Sequence, residues 1–228
     1  LLVAARRRED DGRAADDGRV ERVVRRRVAR VQREDGVRRV KGLHIAGQPY
    51  LPASHVVMAL GHSSRDTFQV LYDRGVHIEA KPFSIGVRIE HPQSWIDRAR
   101  FGDCAGHKDL GAAAYAISHH AKNGRTVYSF CMCPGGIVAP CATSPGEIVT
   151  NGWSPSKRNN PHANSGMVVQ VGPEDWEPLG FKGPLGGLRF QESVERACWE
   201  AAGKTQAAPA QRLTDFVAGR PPSGVPST

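Results

Sequence analysis

At 228 residues and 24.7 kDa, with 39% hydrophobic residues, the chain can bury a core without covalent staples, as one large domain or two small ones. Five cysteines, an odd count, and no apolar leader argue against a secreted disulfide framework, and no apolar run approaches the ~20 residues that span a bilayer. A cytoplasmic protein is expected, with an organelle as the other reducing setting and no membrane insertion. The formal charge of +8 is local: residues 1–41 carry 14 basic and 8 acidic side chains, so the remainder is nearly neutral.

Residues 1–27 mix Arg, Asp, Gly and Ala with little to bury, so disorder is expected there. The chain also opens on Leu1 and not Met, which suggests a fragment or a displaced gene boundary. Arg25, Arg26 and Arg27 form a basic cluster, yet no aromatic residue precedes Tyr50 to stack on a base, so nucleic acid is not the expected partner. Residues 28–33 and 37–45 are valine-rich runs around Asp35-Gly36, a pair that suits a tight hairpin. Val20, Val23, Val24, Val28 and Val31 would alternatively share one helix face. Residues 55–60 read as a buried strand ending in Gly61-His62-Ser63-Ser64, and residues 65–74 as a helix stopped by Gly75. Ser63 or Ser64 would cap that helix, and the turn's N–H groups could hold a phosphate or ribose; a well-capped helix explains the same residues.

Residues 76–91 hold two strand-like runs broken at Lys81-Pro82. The second alternates, with Ile85, Val87 and Ile89 on a packed face and Arg88 and Glu90 on a polar one. Lys81, Arg88 and His91 would line an anion-accepting pocket, though an ordinary exposed strand face would read alike. Pro92 opens a short helix through Arg100. His107, His119 and His120 have no carboxylate or cysteine at a recognised ligand spacing, so no metal site is expected.

Residues 128–136, YSFCMCPGG, form the most distinctive stretch. On a regular strand Cys131 and Cys133, at i and i+2, point to one face and Met132 to the other. Pro134, Gly135 and Gly136 then make a turn with uncovered N–H groups that a flat or anionic ligand could approach. A strand entering a turn with two buried thiols is the competing reading. No neighbouring cation is evident that would lower a thiol pKa. Residues 146–152 give another short strand and 154–166 a polar loop, with Asn164 and Ser165 at the entrance to the strand 167–171, placed to face a ligand or cap a turn. Residues 188–202 form an amphipathic helix, with Leu188, Val194, Ala197, Cys198 and Ala201 on its apolar face. A shorter helix over 209–218 turns Leu213, Phe216 and Val217 inward, before a proline-rich tail over 222–228.

VVMALGHSSRDTF at 56–68, AKPFSIGVRIEHPQ at 80–93, VYSFCMCPGG at 127–136, RNNPHANSG at 158–166 and AAPAQRLTDFVAGRP at 207–221 together resemble a family of FAD-dependent dehydrogenases among the two-dinucleotide-fold flavoproteins. The resemblance implies an α+β chain. Residues 28–79 would be the remnant of an α/β FAD/NAD(P)-binding domain, and residues 80–221 a largely antiparallel, substrate-side domain with helices. It further implies an oxidoreductase acting on a small organic molecule, with FAD as cofactor and NAD(P) as a second nucleotide it allows. Gly61, His62 and Ser63 would lie by the flavin nucleotide and Pro134, Gly135 and Gly136 by the isoalloxazine, with Cys131 and Cys133 as catalytic thiols. Lys81, Arg88, His91, Arg158, Asn164 and Ser165 would receive substrate. The family's G-x-G-x-x-G turn is absent, so the chain resembles a fragment that would not hold FAD alone. The other function considered is a non-catalytic remnant that binds an acidic partner or nucleic acid through its Arg-rich start. The oligomeric state is not legible.

Overall fold

The computed structural model describes residues 2–5, 29–34, 37–45, 47–61 and 63–222. His62, the Asp35-Gly36 turn, the Arg25–Arg27 cluster, the helical alternative over residues 20–28 and the tail beyond 222 lie outside them. The chain divides into two units, residues 1–70 and 71–228.

In the first unit β1 (Leu2–Ala5) falls inside the stretch expected to be disordered and forms a strand. The valine-rich runs form β2 (Ala29–Glu34) and β3 (Val37–Leu43), an antiparallel pair in which Glu34 faces Val37. The two-residue β4 (Leu51–Pro52) extends that sheet. Next come β5 (Val56–Ala59), antiparallel to β1, and α1 (Arg65–Asp73), with Gly75 beyond it at φ 70°. The described strand pairs of this unit are all antiparallel. Two expectations fail. β5 is not buried: Val57 and Met58 are 61% and 47% exposed, because β1 is its one strand neighbour among the described residues. Ser64 Oγ donates backwards to the Leu60 carbonyl, 3.1 Å away, while its own carbonyl takes the helix's first N–H groups, from Thr67 and Phe68.

The second unit is built on β6 (Phe83–Pro92), which runs through Pro92 directly into α2 (Gln93–Phe101). Residues 76–80, the first expected run, form no strand, and Val87, expected on a packed face, is 60% exposed on this edge strand. After a 3-10 turn at Gly102–Cys104 come β7 (Ser118–His120), β8 (Thr126–Cys133), β9 (Ile137–Pro140), β10 (Thr150–Trp153) and β11 (His162–Val171). β6, β11, β8 and β7 make one antiparallel sheet in that order, and β9 pairs with β10. β11 begins at His162, so Asn164 and Ser165 sit inside a central strand, fully buried, and not at its entrance. The polar run is a strand because its side chains find partners across the sheet.

α3 (Pro173–Trp176), α4 (Gly186–Ala201) and α5 (Leu213–Val217) follow. Trp176 is fully buried, its ring 5.4 Å from Phe83 and 6.3 Å from Phe190. A Cβ on Gly187 would stand 3.1 Å from the Trp176 ring and 3.2 Å from Phe83, so the bare start of α4 is what lets helix, strand and indole close together. Arg125 at the head of β8 pairs with Asp175 and donates to the Gln170 carbonyl at 2.9 Å, tying α3 to the sheet. The apolar face of α4 is rotated from expectation: Glu195 is buried and Ala197 exposed. Glu195 is accommodated by Gln191 Nε2, which donates to its carboxylate at 2.7 Å. α5 turns Leu213, Phe216 and Val217 outward, at 60%, 64% and 78% exposure, and buries Asp215, which Arg220 pairs with at 2.9 Å.

Candidate functional site

Strand alternation sorts the candidate residues. Along β6 Arg88 and Glu90 share one sheet face with Asn164 and Gly166 of β11, while Ile89 and His91 share the other with Ser165 and Ala163. Arg88 and His91, three apart, therefore stand on opposite faces and do not line one pocket. Lys81 is exposed ahead of β6 and joins neither group.

A bulge shapes the Arg88 face. Asn164 pairs with Cys133 and Gly166 with Phe130, so two residues of β8, Cys131 and Met132, oppose the single Ser165. Cys131 takes a φ of 50°, the left-handed conformation that such a bulge puts in its first residue. The extra residue breaks the i, i+2 alternation: Cys131 is exposed and Cys133 buried, so the two thiols do not share a face. Nor does the site lack a cation. Arg88 Nη1 lies 3.8 Å from Cys133 Sγ, and both terminal nitrogens reach the Cys131 carbonyl at 3.4 Å. Arg88 also donates to Asn164 Oδ1 and, at 3.4 Å, to Asn151 Oδ1. A Cβ on Gly152 would run into Arg88 Nη1, Asn164 Oδ1 and Cys133 Sγ, which is why β10 can lie over them. All acceptors around the guanidinium are neutral. No carboxylate among the described residues pairs with it.

The glycine turn is closed, where the sequence led us to expect uncovered N–H groups. Cys133, Pro134, Gly135 and Gly136 are buried. The Gly135 N–H donates to Gln93 Oε1 at 2.8 Å, the Pro134 carbonyl accepts from Ser154 Oγ at 2.8 Å, and the Gly135 carbonyl accepts from the Asn160 N–H at 3.3 Å. A Cβ on Gly135, whose φ is 49°, would strike the Arg158 carbonyl, and one on Gly136 the Trp153 carbonyl. Arg158, itself at φ 48°, meets the turn through its backbone, and its side chain is exposed. Gln93 is the clamp: its Nε2 donates to Asp97 Oδ1 at 2.7 Å and to the Ala113 carbonyl at 2.9 Å. Sequence reasoning passed over Gln93, Tyr115, Asn151 and Gly152. Only Gln93 had a signal, as the last residue of the distinctive stretch 80–93.

On the opposite face His91 Nε2 and Tyr115 Oη are 2.9 Å apart. Burial pushes the Tyr115 phenol up, against the hydrogen bond with Ser165 and the charge of Arg88, which pull it down. Among the described residues His91 Nδ1 is buried with no partner, as is Asn164 Nδ2 on the Arg88 side. Each such orphan costs about 1–3 kcal/mol. In the first unit Gly61 has φ 73° with no atom within 4 Å of where its Cβ would be, and Ser63 is exposed.

The second unit is thus an α+β domain in which the acceptors around Arg88 among the described residues are an amide pair, a thiol and a carbonyl. Residues 82–228 match the family described as FAD-dependent protein, C-terminal domain-like, and the chain belongs to that family. It is also 45% identical over 168 residues to an uncharacterised protein of Clostridium beijerinckii, a match that takes in 72% of this chain and 31% of that protein. The chain therefore spans 31% of the length of that relative. No helix among the described residues is long and apolar enough to cross a membrane.

Proposed function

We propose that the chain supplies the substrate-side part of a FAD-dependent oxidoreductase, a dehydrogenase of a small organic molecule. The observation that carries this reading is Arg88, oriented by two asparagine side chains and the Cys131 carbonyl, with no carboxylate paired to it among the described residues. The residues fit a flavin in part. Arg88 would face the negative charge of the reduced ring or of a bound anionic substrate. Gly135 and Gly136 do not fit, because the chain itself fills the space that a ring would need. When bound, FAD would supply the two-electron chemistry.

The chain's own residues hold and orient. Asn164, Asn151 and the Cys131 carbonyl fix the guanidinium before any ligand arrives, so no reorganisation is needed when charge develops in front of it. Cys133 Sγ donates to the Cys131 carbonyl at 3.4 Å and is buried, which makes it a positioning group for the bulge. Exposed Cys131 is the thiol that could touch a substrate.

The test is to express the chain within its complete reading frame, purify it and record visible absorbance together with the two-electron flavin potential. A yellow protein is expected, and Arg88→Met should lower its potential by about 30–60 mV, equivalent to ~1.4–2.8 kcal/mol. A colourless protein overturns the flavin assignment, and a potential unmoved by Arg88→Met overturns the role of Arg88.

A further inference from the structure

The sheet face opposite Arg88 carries an open cleft of about 840 Å3 between β6, α2 and the segment 114–117. That volume lies within the roughly 300–1,000 Å3 of small-molecule sites. Ile89, Ile96, Ile117, Ala99, Ala114 and Ala116 make its walls apolar, and His91, Tyr115 and Arg100 supply its polar groups. The Arg100 side chain is exposed and forms no hydrogen bond or ion pair among the described residues.

We propose that this cleft binds a small carboxylate with an apolar body, its tail on the isoleucines and alanines and its carboxylate held by Arg100 and by the Tyr115 hydroxyl. The charge complement decides the class. The cleft's charged group is a guanidinium, and no acidic side chain lines it. A cation would be repelled, and an uncharged apolar ligand would leave the guanidinium without a partner. Tyr115 stays a neutral donor at ordinary pH, because burial raises its pKa. His91 orders that donor through its 2.9 Å contact with Tyr115 Oη. The site does not depend on the flavin reading, since it lies on the other side of the sheet from Arg88.

Octanoate, with octanamide as its uncharged isostere, tests the site by isothermal titration on the full chain without added FAD. Because the cleft is open and encloses its ligand only in part, a dissociation constant of about 1 mM is expected for octanoate, with octanamide at least about tenfold weaker. Arg100→Gln and Tyr115→Phe should each weaken octanoate about tenfold, the loss of one charge-assisted hydrogen bond. Ala116→Trp fills the exposed cleft without touching either polar group. It should abolish binding while circular dichroism stays that of the parent. Equal binding of octanoate and octanamide, no binding of octanoate, or binding unchanged by Arg100→Gln overturns the proposal. So does a dimer in sedimentation that Ala116→Trp dissociates, since a second copy would then be the occupant.

Discussion

The guanidinium of Arg88 grips the carboxamide oxygen of Asn164, and the amide nitrogen of that same fully buried side chain has no partner among the described residues. One half of the amide is held and the other half is spare. The pair joins β6 to β11 at the point where the bulge of β8 brings in Cys131 and Cys133, so stability and the charge offered to a ligand rest on one contact.

Asn164→Ala should therefore lower the unfolding free energy by about 1–3 kcal/mol, because it leaves Arg88 without its best acceptor. Arg88→Met should cost a similar amount. The double variant should fall short of the sum by at least ~0.5 kcal/mol, as expected of residues in one network. Urea denaturation of the four proteins reads this directly, and strict additivity would show that the two side chains do not act together.

Gly135 and Gly146 separate two costs of replacing a glycine. Both have positive φ, 49° and 78°, but a Cβ on Gly135 meets the Arg158 backbone whereas one on Gly146 meets nothing within 4 Å. Gly146→Ala should cost about 1 kcal/mol, the conformational strain alone. Gly135→Ala should cost at least ~3 kcal/mol, since backbone cannot swing aside like a long side chain. Similar losses in denaturation would mean that the turn is not packed as described.

The bulge predicts unequal thiols. Iodoacetamide added to the native chain should label exposed Cys131 at least ~10-fold faster than buried Cys133, with access as the cause. Fragment-ion mass spectrometry over the peptide that holds both resolves them. Equal rates would restore the regular strand in which both point the same way.

Acid should loosen the tie between α3 and the sheet. The hydrogen bond from Arg125, followed by that from the Gly172 N–H, holds the Asp175 carboxyl below its ordinary value. A lowered folded pKa gives stability that is fully present above the unfolded value of about 4 and is lost as pH falls through the folded one. Thermal melts of the parent between pH 6 and pH 3 should decline more steeply than those of Asp175→Asn, which has no proton to take up. Parallel declines would remove Asp175 as a source of acid sensitivity.

What the sequence disclosed followed from local rules. The paired strands β2 and β3, the helix after Pro92 and the strand β6 were each marked in the sequence, although β6 is an edge of its sheet and its Val87 lies 60% exposed. Failures came where distant residues decide. Residues 162–166 are polar and read as loop, yet they form the buried start of β11, because Arg88 of another strand satisfies Asn164. The apolar residues of α5 and β5 read as inward and lie exposed. For the site, Arg88, Asn164, Cys131 and Cys133 do converge, but the alternation that paired the thiols met a bulge, and the pocket drawn around Arg88 and His91 ignored the alternation that sets them on opposite faces. Local spacing cannot announce a bulge, whose position depends on what the partner strand offers opposite.

That bulge makes the length of the cysteine segment matter as much as its letters. Paired without the bulge at its present length, the strand would set Cys133 opposite Ala163 and turn it to the far surface, carrying the inner thiol away from its arginine without altering any named group. In this segment chemistry is encoded by counting: with one of the two bulge residues removed, the strand would alternate plainly and still set Cys133 opposite Asn164.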